Sequence, residues 1–299
     1  MLVYLRIYIY AYIYIYIYIM SVKINWKGKL GNHAFQYFSA YIYCKKHNLK
    51  LLTKPSKNLL NIFEINDNNN EINEDEQCFL DNKVLNFKDY DNDNEIIYYG
   101  DKNYIFNDYF QNAEYINNNS IYLLDNIKPI QYKCKLNYQI KENDILCILR
   151  MGDFLHSGSN SEIVHPDYFL NIFKKNQFNK IYFLIWPFKS PTDDCNLKKY
   201  LKFFEEYDFV VFNENRNEFF DFHITNNFEN IAFTNSTFNW WSAFFTKDIE
   251  KKCIYTPKYF GFFGIGKHFR CHGGHIKNLW NINNISIPIE NKFINLKEQ

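Results

Sequence analysis

The sequence predicts an α/β protein built on parallel sheets, laid out as two lobes that meet near residue 145. Two observations predict it. Short apolar runs of strand length alternate with segments of helical apolar spacing along the second half of the chain, and the same strand, turn, helix, strand order follows residue 20. The length of 299 residues agrees, because it holds one large domain or two packed units of about 100–200 residues each.

The first element is VKINW, a β-like run that leads to a glycine turn at Gly28. Ala34, Phe35, Phe38, Tyr41 and Ile42 then recur at helical spacing, which predicts an amphipathic helix from Asn32 to about Asn48, and LKLLT predicts a second strand. This is a βαβ opening. From Asn58 to about Asn143 the periodicity fades, and the Asn/Asp-rich runs NDNNNEINEDE and DYDNDNE predict solvated surface loops. Regularity returns with DILCILRMGDF, an apolar strand running into a polar turn. HPDYFLNIFKKN predicts a helix, KIYFLIW a buried strand, CNLKKYLKFFEEY a helix and DFVVFN a strand. EFFDFHITNNF predicts a helix and NIAFT a strand; NSTFNWWSAFFT predicts a helix opened by a cap-competent Asn-Ser-Thr, and KCIYTP is the last clear strand. Such alternation favours a parallel sheet covered on both faces.

Composition removes some function classes. Lys+Arg 34 against Asp+Glu 33 leaves a net charge of +1, which argues against a basic nucleic-acid-binding face, because duplex binding relies on several phosphate-neutralising cations. A hydrophobic share of 47% excludes wholesale disorder. The 25 Tyr and 30 Phe, with heavy use of Asn, Ile and Lys, are what AT-rich codons produce, so this bias reports on mutation before function. Seven cysteines, an odd number with no CxxC, signal neither a disulfide framework nor a four-thiolate zinc site and point to a reducing compartment. Residues 1–20, MLVYLRIYIYAYIYIYIYIM, admit three readings: a translated TA repeat with Met20 as the true start, a membrane segment, or an edge strand. Membrane association is expected only through this segment, so the expected location is cytoplasmic or membrane-associated.

Three short motifs carry chemistry. Gly28-Lys29-Leu30-Gly31-Asn32 lies between strand and helix, where glycines permit close backbone approach and the helix start offers N–H groups and a positive dipole end to an anion. It is neither GxGxxG nor a Walker loop, and a plain turn is the simpler alternative. Ile148-Leu149-Arg150-Met151-Gly152-Asp153-Phe154 ends a strand on the usual ligand side of an open α/β sheet, which suits Arg150 to a phosphate; a surface Arg–Asp pair is the alternative. Asn235-Ser236-Thr237-Phe238-Asn239-Trp240-Trp241 offers a second anion-competent helix start with paired Trp behind it, or simply an N-cap over buried aromatics.

Taken in order, GKLGNHAFQYF, ILRMGDF and NSTFNWWSAFF, followed by IYTPKYF, resemble the α-1,2-fucosyltransferase family, glycosyltransferase family 11, whose pattern is GRLGNQMFQYA, HIRRGDY and NSSFSWWGAWL. Asp221 stands fourteen positions before Asn235, as the family's DL-containing helix stands before its NSS, and His165-Pro166 with Tyr168 resembles the family's His-Pro/Tyr segment. The likeness runs from about Val22 to Phe263 and leaves the Asn-rich middle unmatched.

The resemblance implies a GT-B-like fold of two Rossmann-like lobes with a donor cleft between them, residues 21–144 on the acceptor side and 145–299 on the nucleotide-sugar side. It implies inverting, metal-independent transfer of L-fucose from GDP-fucose to a galactoside hydroxyl in α-1,2 linkage. A GDP-sugar donor and a glycan acceptor are then the partners, and no cofactor or metal site is expected. By the same resemblance Arg150 binds the β-phosphate and stabilises the departing GDP. Asp153 orients Arg150 or accepts the acceptor's proton, with orientation ranking higher because a carboxylate beside Arg is a poor base. Gly28, Gly31, Asn32, His165 and Trp240 belong to the donor site, with Asn235, Ser236 and Thr237 on the diphosphate.

Four positions depart from the pattern. The family's His is Ile148, its second Arg is Met151, its Gln is His33, and its FSDD-like strand end is Leu184-Ile185-Trp186-Pro187. These departures keep two alternatives open: a transferase using another nucleotide sugar, and a non-catalytic glycan- or nucleotide-binding descendant of the fold. One cluster outside the pattern, Lys267-His268-Phe269-Arg270-Cys271-His272-Gly273-Gly274-His275, has metal-ligand residue types without a visible fourth ligand, and a C-terminal loop is the alternative.

Overall fold

The computed structural model describes residues 20–66, 82–100, 102–151, 163–185, 191–212, 216–234, 236–257, 262–263, 269–270, 287–289 and 293–294. The chain is an α/β protein with two parallel sheets. In the first, β1 (Ser21–Ile24) leads into α1 (Leu30–His47), and β2 (Lys50–Leu51) returns beside β1. The helix ends where Asn48 turns left-handed at φ 53°, with Lys45, Lys46 and His47 in the last turn to complement its negative end. α2 (Lys57–Leu60) and β3 (Phe63–Ile65) follow, and β4 (Asn82–Leu85) and β5 (Asn103–Phe106) complete the order β2-β1-β5-β4. α3 (Ala113–Asn118) and α4 (Ile121–Leu124) precede β6 (Ile127–Pro129), which pairs antiparallel with β3.

The stretch without clear periodicity therefore supplies half of the first sheet, from residues outside the two runs expected to be surface loops. Of NDNNNEINEDE, all but its first residue lies outside the described residues. β4 and β5 are four residues each with partly exposed faces, too short for a period to stand out. Within DYDNDNE, Asp91 to Glu95 form a polar turn as expected, but Asp89 is buried. Asp89 accepts from the Tyr99 hydroxyl at 2.7 Å and lies 3.3 Å from Lys83 Nζ. Burial pushes its carboxyl up, yet the bonds from Tyr99, Asn86 and Lys83 prevail and hold it below the usual range.

The second sheet begins with β7 (Ile145–Leu149). β8 (Ile163–Val164), α5 (Asp167–Lys175), β9 (Ile181–Ile185), α6 (Pro191–Leu201) and β10 (Phe209–Val211) build one side. α7 (Glu218–His223), β11 (Asn230–Phe233), α8 (Thr237–Phe244) and β12 (Cys253–Pro257) build the other. β13 (Phe262–Phe263) pairs with β14 (Phe269–Arg270), β15 (Ile287–Ile289) extends the sheet past the last strand the sequence signalled, and β16 (Phe293–Ile294) pairs with β8. The order is β10-β9-β7-β11-β12-β15, parallel throughout.

β7 and β9 are buried at every position, as strands covered on both faces must be. Leu146, Ile148, Tyr182, Leu184, Ile231 and Phe233 face a core that continues through α8 and α1 to Val22 and Ile24 of the first sheet. Cys147, Leu149, Phe183 and Ile185 face a second core under α5 and α6. The change near residue 145 is thus a change of sheet across one continuous core. Residues 1–19 and most of the cluster at 267–275 lie outside the described residues. Among the described residues no helix is long and apolar enough to cross a membrane.

Candidate functional site

Each sheet reverses its direction of growth at one strand. β1 has β2 on one side and β5 on the other, while β7 has β9 and β10 on one side and β11 and β12 on the other. At such switch points the connections leaving the carboxyl ends diverge to opposite faces, and this is where open α/β sheets bind ligands. α1 leaves β1, α8 leaves β11, and the two helices meet at their N-termini.

The turn before α1 is held by its own motif. Gly28 has φ +80°, and a Cβ there would stand 2.1 Å from Asn32 Nδ2, so the position requires glycine. The Lys27 N–H donates to Gln36 Oε1 at 3.1 Å, and Gln36 Nε2 donates to the Asp108 carbonyl at 2.9 Å, which ties the turn to the segment after β5. Gly31 is pressed onto α8: a Cβ would lie 2.4 Å from the Phe238 nitrogen and 2.5 Å from Thr237 Oγ1. Trp241 Nε1 donates to the Gly31 carbonyl at 3.2 Å. Asn32 Oδ1 accepts from Thr237 Oγ1 at 3.0 Å and from Gln111 Nε2 at 2.7 Å.

Ser236 caps α8, its hydroxyl accepting from the Asn239 N–H at 3.3 Å. Neither α1 nor α8 has an acidic residue in its first turn. Two positive dipole ends therefore converge without a neutralising carboxylate in either first turn, an arrangement that favours an anion.

Arg150 stands at the second switch point. Its N–H donates to Thr234 Oγ1 at 2.9 Å, and the Thr234 N–H donates to the Ile148 carbonyl at 3.0 Å, joining the ends of β7 and β11. Thr234 leads directly into the α8 start, so Arg150, Ser236, Thr237, Gly31 and Asn32 form one connected neighbourhood. Ile148 and Met151, which flank Leu149 and Arg150, are fully buried in the two apolar cores and serve as packing residues.

The remaining predicted residues are placed as follows. Trp240 is fully buried behind the α8 start, stacked on Phe244 and 4.9 Å from the Phe35 ring. His165 precedes α5 on the opposite face of the sheet; its described partners are Asp167, 3.2 Å away, and Phe203. None of these is a predicted donor residue. Asp153 and Asn235 lie outside the described residues.

Several residues of this neighbourhood escaped the sequence argument. Gln36 and Trp241 were inside the recognised motifs, and Thr234 ended the NIAFT strand, but Gln111 sits in the aperiodic stretch and carried no signal. Arg216 and Asp221 form a further pair at the end of β9. Arg216 Nη2 donates to the Ile185 carbonyl, and Nε lies 3.5 Å from Asp221 Oδ1. Burial pushes the Asp221 carboxyl up to about 6, with Arg216 pulling it down and Glu218 adding to the rise. Among the described residues Asn239 Nδ2, Trp240 Nε1 and Arg216 Nη1 are buried donors without an acceptor. A separate cavity of about 430 Å³, lined by Tyr132, Lys133, His223, Asn226 and Lys247, opens by the C-terminal ends of α7 and α8, away from the helix starts.

The chain matches no protein-family model and no curated protein.

Proposed function

We propose that this protein is a glycosyltransferase that moves L-fucose from GDP-fucose to a galactoside hydroxyl in α-1,2 linkage, with inversion and without a metal. On this reading the sheets form the two lobes of a GT-B arrangement, with the donor between them. One observation supports it above the others: two helix starts free of first-turn acids converge beside the strand end that carries Arg150. Residues from all three chemistry-bearing motifs thereby share a single place.

The chemistry asks for such a place. The acceptor oxygen attacks the anomeric carbon, the bond from that carbon to the β-phosphate oxygen breaks, and the diphosphate leaves with the electron pair. Fixed dipoles and a guanidinium at the leaving group stabilise that charge more in the transition state than in the ground state. Arg150 serves the β-phosphate, the α1 and α8 starts the remaining oxygens, and the hydroxyl proton passes to a base. Asp153 serves first to orient Arg150 and only second as that base, since a carboxylate beside Arg is a poor one. Trp240 backs the α8 start from the core.

Incubation with GDP-fucose and a β-galactoside tests the reading, with fucosylated product and released GDP as the expected result. Arg150→Ala should lower turnover by orders of magnitude at unchanged circular dichroism; turnover near wild type at saturating donor removes Arg150 from the mechanism. Donor binding without GDP release identifies a non-catalytic descendant. Ile148, buried where the family carries His, favours a second reading, transfer from a different nucleotide sugar. A thermal-shift screen across nucleotide sugars separates the two, since ligands that bind the native state raise its melting temperature.

A further inference from the structure

A diphosphate carries more charge than one guanidinium answers, and Met151 provides no second one. The structure holds another arginine one strand away. Ile185, whose carbonyl takes Arg216 Nη2, is in register with Leu149, the residue before Arg150. Neighbouring strands lie about 4.8 Å apart, so Arg150 and the anchor of Arg216 occupy adjacent strand ends. Arg216 reaches this point from the residue before Asn217, the N-cap of α7.

Its side chain is only 8% exposed. Asp221, 10% exposed, approaches the Nε edge alone, and Nη1 has no acceptor among the described residues. A buried charged donor left unsatisfied is costly, and an anion at the strand ends would satisfy it. We propose that Arg216 is the second cation of the diphosphate site, supplying in space the guanidinium that Met151 does not supply in sequence. Asp221 is its positioning residue, holding the fork so that Nη1 remains available. This inference rests on the diphosphate reading given above.

Calorimetric titration of the full chain with GDP, guanosine and inorganic pyrophosphate tests it. The variants are Arg216→Gln, Arg216→Lys, and Arg216→Gln combined with Asp221→Asn, which leaves no lone carboxylate if the single change fails to fold. Loss of a buried charge-assisted bond predicts GDP and pyrophosphate weakened about 10- to 100-fold in the Gln variants, with guanosine unchanged and Lys intermediate. GDP affinity equal to wild type in the double variant, or equal losses for guanosine and GDP, overturns the proposal in favour of a structural ion pair. Pyrophosphate binding that depends on Arg216 without any preference for GDP sustains it while removing the GDP-sugar reading. A wild-type chain that binds neither phosphate ligand removes both.

Discussion

The two helix starts that meet beside Arg150 are secured in different ways. α8 is secured by its own sequence: Ser236 caps it, and all eight residues are buried. α1 has no side-chain cap at Lys29 and is secured from outside, by Thr237 and Gln111 on Asn32 and by Trp241 on Gly31. The difference teaches that α8 is the template and α1 the docked partner, so changes at the contact should move the α1 start while local changes in α8 stay local.

Trp241→Ala should break the template itself. The ring is buried among Phe35, Phe38 and Phe244 and also holds the Gly31 carbonyl. A loss of about 3–5 kcal/mol in urea unfolding is expected; a loss near zero would mean that α8 does not organise the junction. Gly31→Ala acts next, because the new methyl meets backbone atoms of Thr237 and Phe238 that cannot rotate away. Overpacking of this kind costs about 1–3 kcal/mol, and GDP affinity should fall with it. Wild-type stability and affinity together would show that the helices are free to part.

Ser236→Ala probes the other side. Loss of the cap should cost about 1 kcal/mol and leave the α1 amides unperturbed in an NMR comparison. Spreading of the shifts into Gly31 and Asn32 would show that the helix starts are one unit rather than template and partner.

The same contrast explains what could be seen in the sequence. The second sheet was legible because β7, β9 and β11 are short apolar runs between amphipathic helices, and α8 announced itself through Ser236 and the paired Trp. Helix α1 was legible from its spacing, although it begins at Leu30, two residues earlier than its apolar period suggested. β4 and β5 were not legible, since four residues in an Asn-rich stretch are too few for a period to stand out, and β4 has two exposed positions besides. Of the site, the glycines and Arg150 could be named from their motifs. Gln111 and Arg216 could not, and Asp221, noted only for its spacing before Asn235, could not be paired with Arg216, because the fold alone brings these residues to the motif residues and strand ends.

The smallest expected effect is the one that best separates the two starts, because only α1 carries a titrating group in its first turn. His33 Nδ1 lies 2.9 Å from Ser56 Oγ, with the ring 4.8 Å from that of Trp26. Burial pulls its pKa below 6.5 against an upward pull from the Gly28 backbone, and a positive helix end also disfavours the imidazolium. With the folded value depressed, the stabilising contribution is fully present above 6.5 and is lost as pH falls through the lower folded value. His47 and His223 are lowered by burial as well, so the wild-type urea midpoint should fall between pH 7.5 and 5.5 for more than one reason. His33→Gln isolates one of them: its midpoint should fall less than that of wild type over the same interval. Equal falls would place His33 outside the linkage. Because an anion at the α1 start opposes the effect of burial, saturating GDP should narrow the gap between the two proteins, and the α8 start, with nothing to titrate, should show no counterpart.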